Sequence, residues 1–184
     1  RRAQEEYFLP ADILMENAGI KAFYSLRKIL NRRGKIVFLT GRGNNAGDAF
    51  VVARQCFLSG YRNTEIVEVL GKPAEGTLCA RNRQACIKLG MEITAIENPA
   101  AGPLIQKAGA IIDGILGTGL KGEARGPVKR VIEMCGENKK ALCIALDIPS
   151  GLGDAFEKQY PVFRADMTLS FGLPKLALSN PRRR

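Results

Sequence analysis

The feature that most constrains this chain is a repeated exchange between two periodicities. Short apolar runs of the kind seen in buried strands alternate with segments whose apolar residues recur at helical spacing. Residues 12–30 form the first helical segment, through Leu14, Met15, Ala18, Ala22, Phe23, Leu26, Ile29 and Leu30. Asp12, just after Pro10, is placed to cap it, and Gly34 breaks it. Lys35-Ile-Val-Phe-Leu-Thr40 then reads as a buried strand, followed by the loop Gly41-Arg-Gly-Asn-Asn-Ala-Gly-Asp48. A helix over 48–59 stops at Gly60.

The exchange continues to the end of the chain. Strands are expected over 65–70, 91–96, 110–113, 141–147 and 166–171, and helices over 75–89, 104–108 and 127–136. Strand–helix–strand repeats of this kind use right-handed crossovers and give a mostly parallel sheet with helices on both faces. The expectation is one α/β domain over 1–184: a Rossmann-like, doubly wound, three-layer αβα sandwich. Residues 151–164 are the longest irregular stretch, either a lid or a surface excursion. The chain opens on Arg1 rather than Met, so trimming at an end is expected.

Ligands in such sheets bind beyond the carboxyl ends of the strands. Three of those ends carry unusual residues. The first is the loop 41–48, whose glycines are spaced G-x-G-x-x-x-G, unlike a dinucleotide fingerprint or a P-loop. Its Asn44-Asn45 pair suits a polar ligand or an alkali cation, or else left-handed turn positions. The second and third are Asp113-Gly-Ile-Leu-Gly-Thr-Gly119 and Asp147-Ile-Pro-Ser-Gly151. Two carboxylates at strand ends, opposite an asparagine pair, point to a hard cation or a polar substrate.

Composition removes several chemistries. The chain has no histidine, which excludes Ser-His-Asp and Cys-His catalysis and any His-ligated metal. Acid–base work must fall to carboxylates, Lys, Tyr or Cys. The five cysteines, Cys56, Cys79, Cys86, Cys135 and Cys143, include no C-x-x-C pair. They read as buried small hydrophobes in a reducing, cytoplasmic setting. No apolar run is long enough for a membrane span. The net charge is +10, but Arg1, Arg2 and Arg182, Arg183 and Arg184 supply half of it. No basic stripe interleaved with aromatics appears, so nucleic-acid binding is not expected.

At the same residues the chain resembles the YjeF N-terminal family of NAD(P)H-hydrate epimerases. The matching segments are Leu14-Met-Glu-Asn-Ala-Gly19, Gly43-Asn-Asn-Ala-Gly-Asp48, Asp113-Gly-Ile-Leu-Gly-Thr-Gly119, Asp147-Ile-Pro-Ser-Gly151 and Phe171-Gly-Leu-Pro-Lys175. They occur in order and cover nearly the whole chain. The resemblance implies interconversion of the R and S forms of hydrated NADH and NADPH (NADHX and NADPHX), with potassium as cofactor. It implies substrate contacts from Asn44, Asn45, Ala46, Gly47 and Asp48, from Gly117, Thr118, Gly119, Leu120, Lys121, Gly122 and Glu123, and from Asp147. Asn45, Asp113 and Ser150 would hold potassium. Asp147 would carry the proton transfer, with Lys175 as helper. An NAD(P)HX dehydratase, fused or separate, and a homodimer are the implied partners. Two features depart from the family pattern. Ala46 and Ala49 stand where glycines are usual, and 152–164 lacks a Thr-Gly after the Ser-Gly turn. The alternative reading is a non-catalytic nucleotide- or RNA-binding scaffold of the same fold. Net charge and the altered glycines favour it; Asn45, Asp113 and Asp147 disfavour it.

Overall fold

The computed structural model describes residues 8–153, 157–172 and 178. Eleven elements follow in order: α1 (Ala11–Leu26), β1 (Ile36–Thr40), α2 (Asn44–Leu58), β2 (Thr64–Glu68), α3 (Leu78–Lys88), β3 (Ile93–Ala95), α4 (Ala101–Gln106), β4 (Ala110–Gly114), α5 (Gly126–Glu137), β5 (Leu142–Leu146) and β6 (Met167–Leu169). The strands form one sheet in the order β3-β2-β1-β4-β5-β6, and every pairing is parallel.

The expected α/β sandwich is therefore present, and alternation within the strands explains its layers. Ile36 and Phe38 of β1 join Phe50, Ile66, Ile112 and Ile144 in one core beneath α1, α2 and α3. Val37 and Leu39 join Val67, Ile111 and Ala145 in a second core beneath α4 and α5. Successive side chains of a strand point to opposite faces, so a strand covered on both faces is apolar throughout. The five cysteines are free and buried, and burial pushes the thiols of Cys56, Cys79 and Cys86 up to about 12. Among the described residues no helix is long and apolar enough to cross a membrane.

Most boundaries lie within three residues of the sequence reading; the helix expected over 104–108, for example, is Ala101–Gln106, and two boundaries differ by four. α1 ends at Leu26, and residues 27–30 continue as tight turns, with Leu30 N–H bonded to Leu26 O at 2.9 Å. More consequentially, α2 starts four residues early, at Asn44. Gly43 is extended (φ −96°, ψ −166°), and its carbonyl accepts the Gly47 N–H at 3.1 Å. Of the segment read as a loop, residues 41–43 stay outside the helix and the part from Asn44 onward is its first turn.

The order of strands reverses between β1 and β4, which opens a crevice above their carboxyl ends. The loops leaving these strands touch. A Cβ on Gly41 would lie 2.1 Å from Ile115 O, so only glycine lets the two backbones meet there. Residues 157–163 lie elsewhere. Phe163 is buried in the α5-side core, and its N–H bonds to Ser150 O at 2.8 Å. No described residue of 151–164 lines the crevice, but the start of this stretch packs against its wall: a Cβ on Gly153 would lie 2.7 Å from Leu120 O.

Candidate active site

The crevice is a cleft of about 570 Å³. One wall is Arg42, Gly43, Asn44, Asn45 and Asp48, at the start of α2. The other is Ile115 to Lys121, after β4, with Leu70 at one end and Asp147 at the other. A larger cavity, about 940 Å³, lies between α5 and residues 158–165. It is lined by charges of both signs, and no buried side-chain polar atom there lacks a hydrogen bond among the described residues.

Behind the cleft lies a buried polar cluster. Asp113 is fully buried, still within β4, where it pairs with Leu39 and Ala145. Its carboxylate accepts three hydrogen bonds: Ser150 Oγ–H at 2.6 Å, Ser150 N–H at 2.7 Å and Ile115 N–H at 3.1 Å. Burial pushes its pKa up to about 6, with those three bonds pulling against the rise. Ser150 Oγ also accepts Leu116 N–H at 2.9 Å. Leu116 O in turn accepts the Asn45 side-chain amide at 2.7 Å. That bond fixes the amide's orientation and leaves Asn45 Oδ1 buried without a partner. An unsatisfied buried acceptor is costly. So is a buried carboxylate with no cation beside it, and among the described residues Asp113 has no ion pair. One bound cation would answer both. The donors are an amide, a carboxylate and a hydroxyl oxygen, a hard set suited to an alkali cation.

Asp147 sits beyond the end of β5 in a strained turn. Its φ is +62°, one of two non-glycine residues at positive φ among those described. Ile148 N–H bonds back to Leu146 O at 2.7 Å, closing a three-residue turn around it. The backbone N–H of Asp147 bonds to Leu169 O at 2.7 Å, and its Oδ1 accepts Phe171 N–H at 3.1 Å. Aspartate tolerates this region better than most residues, yet the strain still costs about 1 kcal/mol. Strain of this kind persists where the surroundings over-determine a conformation, commonly at functional sites. Asp48, across the cleft, has its pKa pushed up to about 7, first by burial and then by the charge of Asp147.

A family model described as YjeF-related protein N-terminus matches residues 11–177. The chain belongs to this family. It is 35% identical over 178 residues to the NAD(P)H-hydrate epimerase of Rhodopirellula baltica, covering 95% of this chain and 70% of that one. It is 33% identical over 175 residues to the bifunctional NAD(P)H-hydrate repair enzyme Nnr of Thermanaerovibrio acidaminovorans. There it covers 95% of this chain and 34% of the relative, so it spans about a third of that bifunctional protein. The crystal structure of yeast ynu0 superposes with a TM-score of 0.83 at 22% identity, over 97% of this chain and 77% of that one. That likeness shows a shared fold.

The residues carried over from the YjeF pattern separate into three groups. Asn44, Asn45, Asp48, Gly117, Thr118, Gly119, Leu120, Lys121 and Asp147 line the cleft, and Asn45, Asp113 and Ser150 form the cluster behind it. Ala46 and Gly47 do not line it: Ala46 is fully buried in the core, and Gly47 faces Met15. Gly122 and Glu123 fall just past the lining. Lys175 lies outside the described residues. Neither Ala46 nor Ala49 has a positive φ, so the two alanines of this YjeF chain fit a helix without strain. Arg42, Gly43, Ile115 and Leu116 also line the cleft, within segments the sequence singles out but not among the implied substrate contacts, and Leu70 lies outside those segments altogether. Sequence reasoning missed the raised pKa of Asp48, which depends on Asp147, distant in sequence.

Proposed function

We propose that this chain is an NAD(P)H-hydrate epimerase, interconverting the R and S forms of NADHX and NADPHX in nicotinamide cofactor repair. The names of its relatives support this reading. The observation that carries it chemically is the carboxyl pair in one cleft, of which Asp48 keeps its proton up to about pH 7. Near neutral pH the site therefore offers an acid beside a negative charge.

The reaction needs both. The hydrated carbon bears a hydroxyl next to the ring nitrogen. Asp48 protonates that hydroxyl as the nitrogen lone pair pushes it off, and the C–O bond breaks to release water. The negative charge of Asp147 stabilises the cation that results. Water then adds to the opposite face and gives its proton to Asp147, which completes the inversion. The reverse reaction starts with the proton on Asp147, and the two carboxyls exchange roles. Lys175 is retained as a helper in proton return.

Potassium is the cation we assign to Asn45, Asp113 and Ser150. When bound, it supplies a fixed positive charge beside the cleft. The orphaned Asn45 Oδ1 and the buried Asp113 carboxylate support that assignment. The partner we propose is a dehydratase, fused or separate, that consumes the product; relatives named as bifunctional NAD(P)H-hydrate repair enzymes support a second repair activity beside this one. Incubating the chain with purified S- and R-NADHX, with potassium and with lithium, and separating the epimers over time tests the reading. Interconversion that potassium accelerates is expected. No interconversion by a folded protein removes the epimerase reading and leaves the scaffold alternative.

A further inference from the structure

The cleft has two ends. At one is Asp147, where the reacting ring must lie. At the other is Leu70, beyond the carboxyl end of β2. In a doubly wound sheet with this strand order, a dinucleotide lies across the reversal point, with its diphosphate at the N-terminus of the helix after β1. With the nicotinamide half held at Asp147, the adenosine half falls over β2.

In such sites an acid about 20 residues past the glycine turn takes the ribose hydroxyls and favours NAD, whereas a cation takes the 2′-phosphate of NADP. Glu68, the last residue of β2, occupies that position here. It is already engaged. It is 3% exposed, and Arg83 clamps it with bonds of 2.6 and 3.1 Å. The next residues, Val69, Leu70, Gly71 and Lys72, carry no acid. Arg42 takes the place instead. A Cβ on Gly71 would lie 3.1 Å from Arg42 Nη2, so the guanidinium rests on bare backbone at the end of β2. Arg42 is exposed, lines the cleft, and makes no hydrogen bond or ion pair with another described residue.

We propose that Arg42, seated on Gly71 with Lys72 next in sequence, binds the 2′-phosphate and makes this chain selective for NADPHX over NADHX. The proposal rests on the epimerase reading and fails separately from it. Arginine suits the task because its planar fork meets two phosphate oxygens at once.

The test compares kcat/KM for the two hydrates in the wild-type chain, Arg42→Gln and Arg42→Lys. The wild type is expected to prefer NADPHX by about tenfold or more, the size of a charge-assisted bond to phosphate. Arg42→Gln is expected to remove that preference, and Arg42→Lys to keep part of it. A binding measurement runs beside it: calorimetric titration with adenosine 2′,5′-bisphosphate and with adenosine 5′-phosphate. The wild type should bind the bisphosphate at least about tenfold tighter, and Arg42→Gln should bind the two alike. An unchanged substrate ratio in Arg42→Gln overturns the proposal. So does an equal loss for both hydrates, which would place Arg42 on the diphosphate, or equal affinity of the wild type for the two adenosine probes. If neither hydrate is turned over but the bisphosphate preference depends on Arg42, the epimerase reading falls and the phosphate site stands.

Discussion

Replacing Asp48 with asparagine separates what that carboxyl does for catalysis from what it costs in stability. In the folded chain Asp48 titrates near 7, against 3.8 for an unperturbed group. Between those values the folded state holds a proton that the unfolded state has lost. Stability therefore falls as pH rises from about 4 to about 7, and above 7 the full cost of a buried charge is present. That rise of about three, at ~1.4 kcal/mol per pH unit, sets a ceiling of roughly 4 kcal/mol. Asp48 is not fully buried, and solvent screening lowers the effect to about 1–2 kcal/mol. The amide of Asp48→Asn does not titrate. Urea unfolding at pH 4.5 and pH 8 should thus show the variant gaining about 1–2 kcal/mol on the wild type between the two conditions. Asp113 titrates in both proteins and cancels in the comparison. Epimerase turnover should meanwhile fall about 10²- to 10⁴-fold, the usual worth of a positioned acid. An equal stability difference at both pH values, or turnover within about threefold of wild type, would refute the acid assignment.

Asp147→Asn keeps a residue that tolerates the turn's positive φ and should fold, yet lose epimerase turnover by about 10²-fold or more; full activity in the folded variant sinks its role. Ser150→Ala removes a donor to Asp113 and the acceptor of Leu116 N–H, and should cost about 2–3 kcal/mol in chemical denaturation. Ala46→Gly and Ala49→Gly restore the glycines usual in the family, but both sites are buried helix positions. Each should lose about 1–2 kcal/mol through helix propensity and methyl burial, with no gain in turnover; a faster double variant would show that the alanines obstruct substrate.

Elements were legible where the chain's periodicity is set by burial. Ile36 to Leu39, Ala110 to Ile112 and Leu142 to Leu146 are apolar throughout because both faces of the sheet are covered, and each appears as a strand. The start of α2 was not legible. An asparagine in a first helical turn and one in a loop look alike in sequence, and the extended Gly43 decides between them through backbone geometry alone. Asp113 and Asp147 make the same point within the site. Each follows an apolar strand and precedes a glycine or Ser-Gly turn, so sequence treats them as equivalent. Register separates them: Asp113 still pairs with Leu39 and Ala145 inside the sheet, while β5 ends one residue before Asp147. One becomes a buried anchor and the other a strained carboxylate in the cleft. The clamp of Arg83 on Glu68 and the seat of Arg42 on Gly71 join residues distant in sequence, and no local pattern announces either.

The two carboxyls of the cleft are mechanically connected despite lying on different elements. Asp147 leads through Ile148 and Pro149 to Ser150, whose hydroxyl binds Asp113 and Leu116; Leu116 holds Asn45, three residues before Asp48 in the first turns of α2. The cluster assigned to potassium therefore lies on the path that sets how far Asp48 stands from Asp147. Because the charge of Asp147 helps raise the Asp48 pKa, a change in that separation must appear as a change in where Asp48 titrates. Cation site and acid are then one device: loosening the cluster should move the alkaline limb of the pH–rate profile as well as lower the rate. A cluster that acted only as structural support would lower stability and leave that limb in place.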